Sequence, residues 1–160
     1  MNGSGEDVDA SDFRPEKRYR PGRWSRLENV VMTALTRAGL VPYSYVLTTR
    51  GRRTGQIRRN PVLLVEHGGQ QWLVAPYGAV AWVHNVRAAG RVTLTRRFTS
   101  RDYAVREVSA QEAGPVLQRY IQIASATRNY FQADRDDPVE RFVAEAERHP
   151  VFALAPVDAR

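Results

Sequence analysis

The sequence predicts an α+β fold dominated by antiparallel strands, a small barrel flanked by helices. Two observations carry this expectation. Apolar, β-branched runs are joined to one another through glycine-bearing turns, as in hairpins. The helical stretches fall between and after these hairpins, without the regular strand and helix alternation of a doubly wound parallel sheet.

The elements follow in order. Residues 1–13 are polar and acidic and read as a disordered tail, which leaves 14–160 as one domain. A basic lead-in follows, with Arg14, Lys17, Arg18, Arg20, Arg23 and Arg26 broken by Pro15, Pro21 and Gly22. Trp24, Leu27, Val30, Val31, Ala34, Leu35 and Ala38 then recur at helical spacing, and Gly39 is placed to end that helix. Residues 43–49 read as a strand, Gly51 and Gly55 as a turn, and 61–65 as a second strand with Pro61 at its start or on an edge. His67-Gly68-Gly69 predicts a hairpin, with residues 72–75 returning antiparallel. A short helix over 79–89 ends at Gly90, and 91–98 and 101–108 give two more strands, about five before residue 110.

Ser109 and Glu112 form a capping-box pattern. Gly114-Pro115 is expected to interrupt the first turn of a longer helix through Tyr130, with Val116, Tyr120, Ile123 and Thr127 on one face. Asp137 is placed to cap a further helix with Pro138 at its first position, and 150–154 predicts a late strand.

Composition limits what the chain can do. At 160 residues it can bury a real core but not two domains of similar size. The absence of cysteine excludes disulfides, thiolate nucleophiles, iron–sulfur clusters and cysteine-based zinc sites. His67, His84 and His149 stand too far apart for a motif such as H-E-x-x-H, so no metal site is expected. No signal-like segment and no apolar run of membrane-spanning length is present, and a cytoplasmic protein is expected. The formal charge is +7, and Lys17 is the only lysine. Such a balance favours anionic partners without distinguishing nucleic acid, lipid or a phosphorylated cofactor.

The positive charge concentrates in one place. Arg50, Arg52, Arg53, Arg58 and Arg59 fall around a turn that holds Gly51, Thr54 and Gly55. Glycine turns can aim backbone N–H groups at an anion, and guanidinium forks bind phosphate or carboxylate oxygens bidentately. A solvated hairpin tip in an arginine-rich protein has the same composition, so charge alone leaves both readings open.

Two ordered motifs add to it. Leu47-Thr48-Thr49, Gly51-Arg52-Arg53-Thr54-Gly55, Arg58 and Pro61 resemble the opening motif of the deazaflavin-dependent nitroreductase family. Ala75-Pro76-Tyr77-Gly78, then Trp82, Asn85, Arg87 and Ala88-Ala89-Gly90, are similar to its second signature, a small loop leading into a W-x-x-N helix. The resemblance covers residues 43–97 closely and extends loosely to His149-Pro150-Val151-Phe152.

The resemblance implies a split β-barrel that binds coenzyme F-420, an 8-hydroxy-5-deazaflavin with a phosphodiester and an oligoglutamate tail. Carried over by motif position, Arg53, Thr54 and Arg58 would hold the phosphate or glutamates, with Arg52, Gly55 and Pro61 in the same binding segment. Pro76, Tyr77, Gly78, Trp82 and Asn85 would line the deazaflavin pocket. Only Ala79-Val80-Ala81 separates Gly78 from Trp82, shorter than in members that activate nitroimidazole prodrugs, and Val83 stands where those often have tyrosine. Both departures argue against nitro-reduction.

An oxidoreductase passing a hydride to a small electrophile (a quinone, an enone or a nitro compound) is therefore expected, with the protein orienting the reactants and excluding water. Tyr120, Tyr130 or Tyr77 could supply a proton. His84 could neutralise a reduced ring or simply face solvent. Trp82 could pack on a flat ring or belong to the core; Asn85 could bond ring atoms or tie a helix to a loop. Flavin mononucleotide is the competing cofactor, since related split barrels bind it. A non-catalytic binding or storage protein for an anionic ligand is the alternative, with the basic lead-in and the 24–38 helix on a membrane surface. No nucleic-acid recognition motif is present, so a nucleic-acid partner is not expected. A monomer or a homodimer would both suit a split barrel.

Overall fold

The computed structural model describes residues 43–158. The tail at 1–13, the basic lead-in and the helix expected over 24–38 lie outside the described residues.

Six strands, β1 (Ser44–Arg50), β2 (Ile57–His67), β3 (Gln70–Val74), β4 (Arg91–Arg96), β5 (Thr99–Glu107) and β6 (Val151–Pro156), close as a barrel in the order β1-β2-β3-β6-β5-β4. Every neighbouring pair is antiparallel, and β4 returns to β1 with Leu94 opposite Leu47. The predicted antiparallel barrel is the observed architecture, with five strands before residue 110.

The period of two divides the barrel wall into an interior and an exterior. Leu47, Val62, Leu64, Leu73, Val92, Leu94, Phe152 and Leu154 fill the interior. Val65, Trp72, Val74, Val151 and Ala153 face outward from β2, β3 and β6 and are covered by helices. Those helices are α2 (Ala110–Ile123), a 3-10 turn (Ser125–Tyr130) and α3 (Val139–Glu145). Helix α1 (Ala81–Ala89) contributes Trp82, Val83 and Val86 to the interior cluster and ends at Gly90, whose φ of 64° is the left-handed C-cap geometry.

Several local expectations shift. Pro61 stands inside an eleven-residue β2, opposite Val46. The bond from Leu64 N–H to Tyr43 O turns the even-numbered amides of β2 toward β1, so the Pro61 nitrogen faces the other side, and there the pairing with β3 begins only at Leu64. No ladder donor is missing. Gly114-Pro115 does not break α2. A Cβ on Gly114 would lie 2.5 Å from Val143 Cγ2, so glycine lets α2 and α3 approach closely, and Pro115 stands inside the helix, which continues past it without the bond its nitrogen would make to Gln111 O. The long helix expected through Tyr130 stops at Ile123 and continues as the 3-10 turn. The Ser109 oxygen accepts the Glu112 N–H at 3.3 Å, as the capping pattern predicts. Asp137 does not cap α3; Pro138 holds that place, and the Asp137 carboxylate accepts the Asp134 N–H at 2.8 Å instead.

Candidate cofactor site

The 51–56 turn is closed by its own backbone. Gly51 N–H donates to Gln56 O at 2.7 Å and Gly55 N–H to Gly51 O at 2.8 Å. Gly55 has a φ of 69°, and a Cβ on Gly51 would lie 2.9 Å from Thr54 Oγ1, which itself accepts the Gln56 N–H at 3.3 Å. Two arginines brace the turn: Arg50 Nη1 donates to Gly55 O at 3.2 Å and Arg58 Nη2 to Gln56 Oε1 at 3.1 Å. Arg52, Arg53, Thr54, Gly55 and Arg58 are all exposed. Arg53 has no partner among the described residues.

The arginines do not converge on one face. Arg58 lies opposite Thr49 and Arg59 opposite Thr48, and consecutive strand residues point to opposite sides. Arg58 therefore shares the side of buried Thr49 at the barrel rim. Arg59 instead lines an outer pocket of about 200 Å³ with Val46, Thr48, Thr93, Thr95 and Ser100, on the side to which partly buried Pro61 also belongs.

Helix α1 is tied to this turn through Asn85, which is 5% exposed. Its Oδ1 accepts the Arg52 backbone N–H at 3.2 Å and Arg52 Nη1 at 3.5 Å, and its Nδ2 donates to Thr49 Oγ1 at 3.4 Å. Trp82, one turn earlier, is 7% exposed and packs inside the barrel, its ring 6.2 Å from that of Phe152. In this geometry both motif residues of α1 engage protein groups. The last turn of α1 is held to β5 by a guanidinium fork: Arg87 Nε lies 2.8 Å from Glu107 Oε2 and Nη2 lies 2.6 Å from Oε1. Hydrogen bonding from Arg87 holds the Glu107 carboxyl below its ordinary range.

The 75–78 loop leaves β3 at the same end of the barrel. Gly78 N–H donates to Ala75 O at 3.2 Å, a β-turn with Pro76 in its second place, and Gly78 has a φ of 85°. Pro76 is buried and Tyr77 exposed. The Tyr130 ring meets Tyr77 edge-on at 4.7 Å. The two expected proton donors thus separate. Tyr130 joins the loop, whereas Tyr120 is 2% exposed, with burial raising its pKa above the usual tyrosine value against the opposing hydrogen bond from Thr127. His84 is half-buried on α1, and His67 lies exposed at the β2–β3 turn, its carbonyl accepting from Trp72 Nε1 at 3.0 Å. Among the described residues no group of histidine and carboxylate side chains is arranged to hold a metal.

Two residues that the motifs did not assign stand behind the loop. Glu145 and His149 are each 3% exposed, and His149 Nδ1 lies 2.9 Å from Pro76 O. Their E-x-x-x-H spacing, with the His149-Pro150 start of the loosely matched C-terminal segment, was the available signal.

Strand direction explains the assembly. β1 ends and β2 begins at the 51–56 turn; β3 returns to that end, and β6 starts there with Val151 opposite Val74. The arginine turn, α1, the 75–78 loop and the 145–150 segment therefore meet at one rim.

The model of the F420H(2)-dependent quinone reductase family matches residues 22–145. A solved structure described as an F420-H2-dependent reductase is 22% identical, with a TM-score of 0.51, covering 71% of this chain and 95% of that one. A chain described as a domain-swapped dimer is 22% identical, with a TM-score of 0.53, covering 82% and 97%. A protein from Bacteroides thetaiotaomicron, described in connection with 5-nitroimidazole antibiotic resistance, is 10% identical, with a TM-score of 0.50, covering 76% of each chain. These likenesses establish the split β-barrel.

Proposed function

The chain belongs to the F420H(2)-dependent quinone reductase family, and on that premise we propose that it passes a hydride from reduced coenzyme F-420 to a quinone, with the coenzyme held at the rim just described. The observation that carries the placement is the exposed Arg53 guanidinium, without a described partner, on a turn that Asn85 pins to α1.

The donor set fits a polyanion. Arg52, Arg53 and Arg58 offer guanidinium donors in solvent, and Thr54 and Gly55 complete a turn that a phosphate or carboxylate can approach. Pro76, Tyr77 and Gly78 form a rigid edge at the same rim, where Tyr77 and Tyr130 present aromatic surface for a flat ring. Asn85 serves the site by holding Arg52, and Trp82 by fixing α1 from the core. Pro61 lies on the side of β2 that carries Arg59, away from Arg58. When bound, the coenzyme supplies the hydride; the residues of the chain orient it, shield it from water and deliver a proton. Tyr130 and Tyr77 are the proton sources we favour, because Tyr120 is buried and difficult to ionise.

The family description names F420H(2) and lends no support to the flavin mononucleotide alternative. The quinone follows from the same description, with enones and nitroarenes as competing electrophiles. The domain-swapped neighbour supports a homodimer. In the direct test, protein is mixed with reduced coenzyme F-420 and a soluble naphthoquinone, an enone or a nitroarene, and coenzyme reoxidation is followed by absorbance. Quinone-dependent reoxidation well above the background rate is expected. Reoxidation no faster than background with all three acceptors overturns the reading.

A further inference from the structure

Behind the 75–78 loop lies a polar couple that neither sequence motif uses. Glu145 and His149 are both buried, four residues apart, with His149 Nε2 3.6 Å from Glu145 Oε2. The Glu145 carboxylate also accepts two backbone N–H groups, Gln132 at 3.0 Å and Ala133 at 3.1 Å. Burial would raise the Glu145 pKa, but the neighbouring His149 ring and the backbone hydrogen bonds from Gln132 and Ala133 outweigh it and hold the group below its ordinary range.

His149 is fixed on three sides. Phe131 stacks on its ring, with centroids 4.0 Å apart and planes 20° from parallel. Nε2 faces Glu145. Nδ1 lies 2.9 Å from Pro76 O, and a carbonyl only accepts, so Nδ1 carries a proton, and Nε2 needs a second one to donate toward the Glu145 carboxylate. The loop is also gripped by backbone from the same segment: Ala75 N–H donates to Pro150 O at 2.9 Å, and Arg148 O lies 3.4 Å from where a Gly78 Cβ would sit. These contacts from residues 148–150 join the Tyr130 ring, which meets Tyr77 from the 3-10 turn.

We propose that Glu145 and His149 are positioning residues for the cofactor loop: Glu145 orients the imidazole, and the Nδ1–H of His149 fixes the Pro76 carbonyl and thereby the turn that carries Tyr77 and Gly78. The loop contact stands on geometry alone; its consequence for the coenzyme rests on the function proposed above.

Two substitutions separate this role from simple packing. His149→Asn places an amide nitrogen near the Nδ1 position and can keep the Pro76 bond. His149→Gln places it near Nε2 and can keep the Glu145 contact. Both lose the Phe131 stack, so their shared loss of stability cancels in the comparison. The expected result is faster amide hydrogen exchange at Tyr77 and Gly78 in His149→Gln than in His149→Asn. Coenzyme F-420 binding should weaken on the order of tenfold in His149→Gln, and less than about threefold in His149→Asn, for one lost hydrogen bond. Equal loop exchange in the two variants overturns the proposal, whatever the coenzyme does. Distinct loop exchange with no coenzyme binding by the wild type leaves the loop contact supported and overturns the cofactor role. Nitrogen-15 NMR of the wild-type histidines provides a check free of folding effects: His149 Nδ1 should be protonated, and an unprotonated Nδ1 overturns the contact.

Discussion

Asn85 shows how one buried amide can organise a barrel rim from behind. Its oxygen accepts from the Arg52 backbone and its nitrogen donates to Thr49, so one side chain joins α1, β1 and the arginine turn. Truncation to alanine leaves the Arg52 N–H and the Thr49 hydroxyl without those bonds, at a cost on the order of 1–3 kcal/mol. Asn85→Ala is expected to lower the urea midpoint and to weaken coenzyme F-420 binding through the loosened turn. Unchanged stability together with unchanged binding would count against the tie. At this scale the sequence exposed residue types more readily than their directions. The five arginines were visible as a cluster, but a single step of strand register sends Arg58 and Arg59 to opposite sides. Which atoms Asn85 and Trp82 touch depends on tertiary contacts that motif spacing does not encode.

Among the elements, hairpins were read best where glycine marked them. Gly68 and Gly69, at φ of 60° and 71°, form the two-residue turn with both residues left-handed that their identity predicts. The β4–β5 hairpin has the same geometry without glycine: Arg97 and Phe98 have φ of 50° and 61°, and Phe98 is 75% exposed. Sequence patterning therefore carried the strand to Phe98 and began the next at 101, whereas the ladder turns at 97–98. Left-handed backbone costs an ordinary residue about 1–2 kcal/mol. The double change Arg97→Asn with Phe98→Gly is expected to stabilise the protein by about 1–2 kcal/mol, seen as a rise of several degrees in Tm. A lower Tm would mean that the tip makes contacts its exposure does not suggest. Helix α2 carries the opposite lesson. Gly114 and Pro115 look like a break, but the glycine is there for close contact with α3, a requirement set by a distant partner rather than by neighbouring residues.

For the whole molecule, barrel closure turns a set of hairpins into a site. Strand alternation and turn residues made the antiparallel barrel legible, and the two motifs gave its family. The gathering of the 51–56 turn, α1, the 75–78 loop and the 145–150 segment at one rim required the strand order β1-β2-β3-β6-β5-β4, which places a segment from the end of the chain behind a loop from its middle. We propose that this rim holds coenzyme F-420 through its arginines. Fluorescence titration of purified protein with the oxidised coenzyme tests it most directly, comparing wild type with Arg53→Ala and with Arg97→Ala at the opposite end of the barrel. Saturable binding by wild type is expected, with a loss of roughly tenfold or more in Arg53→Ala from a lost charge-assisted contact and near wild-type affinity in Arg97→Ala. Absence of saturable binding at millimolar coenzyme, or equal affinity in the two variants, would contradict it.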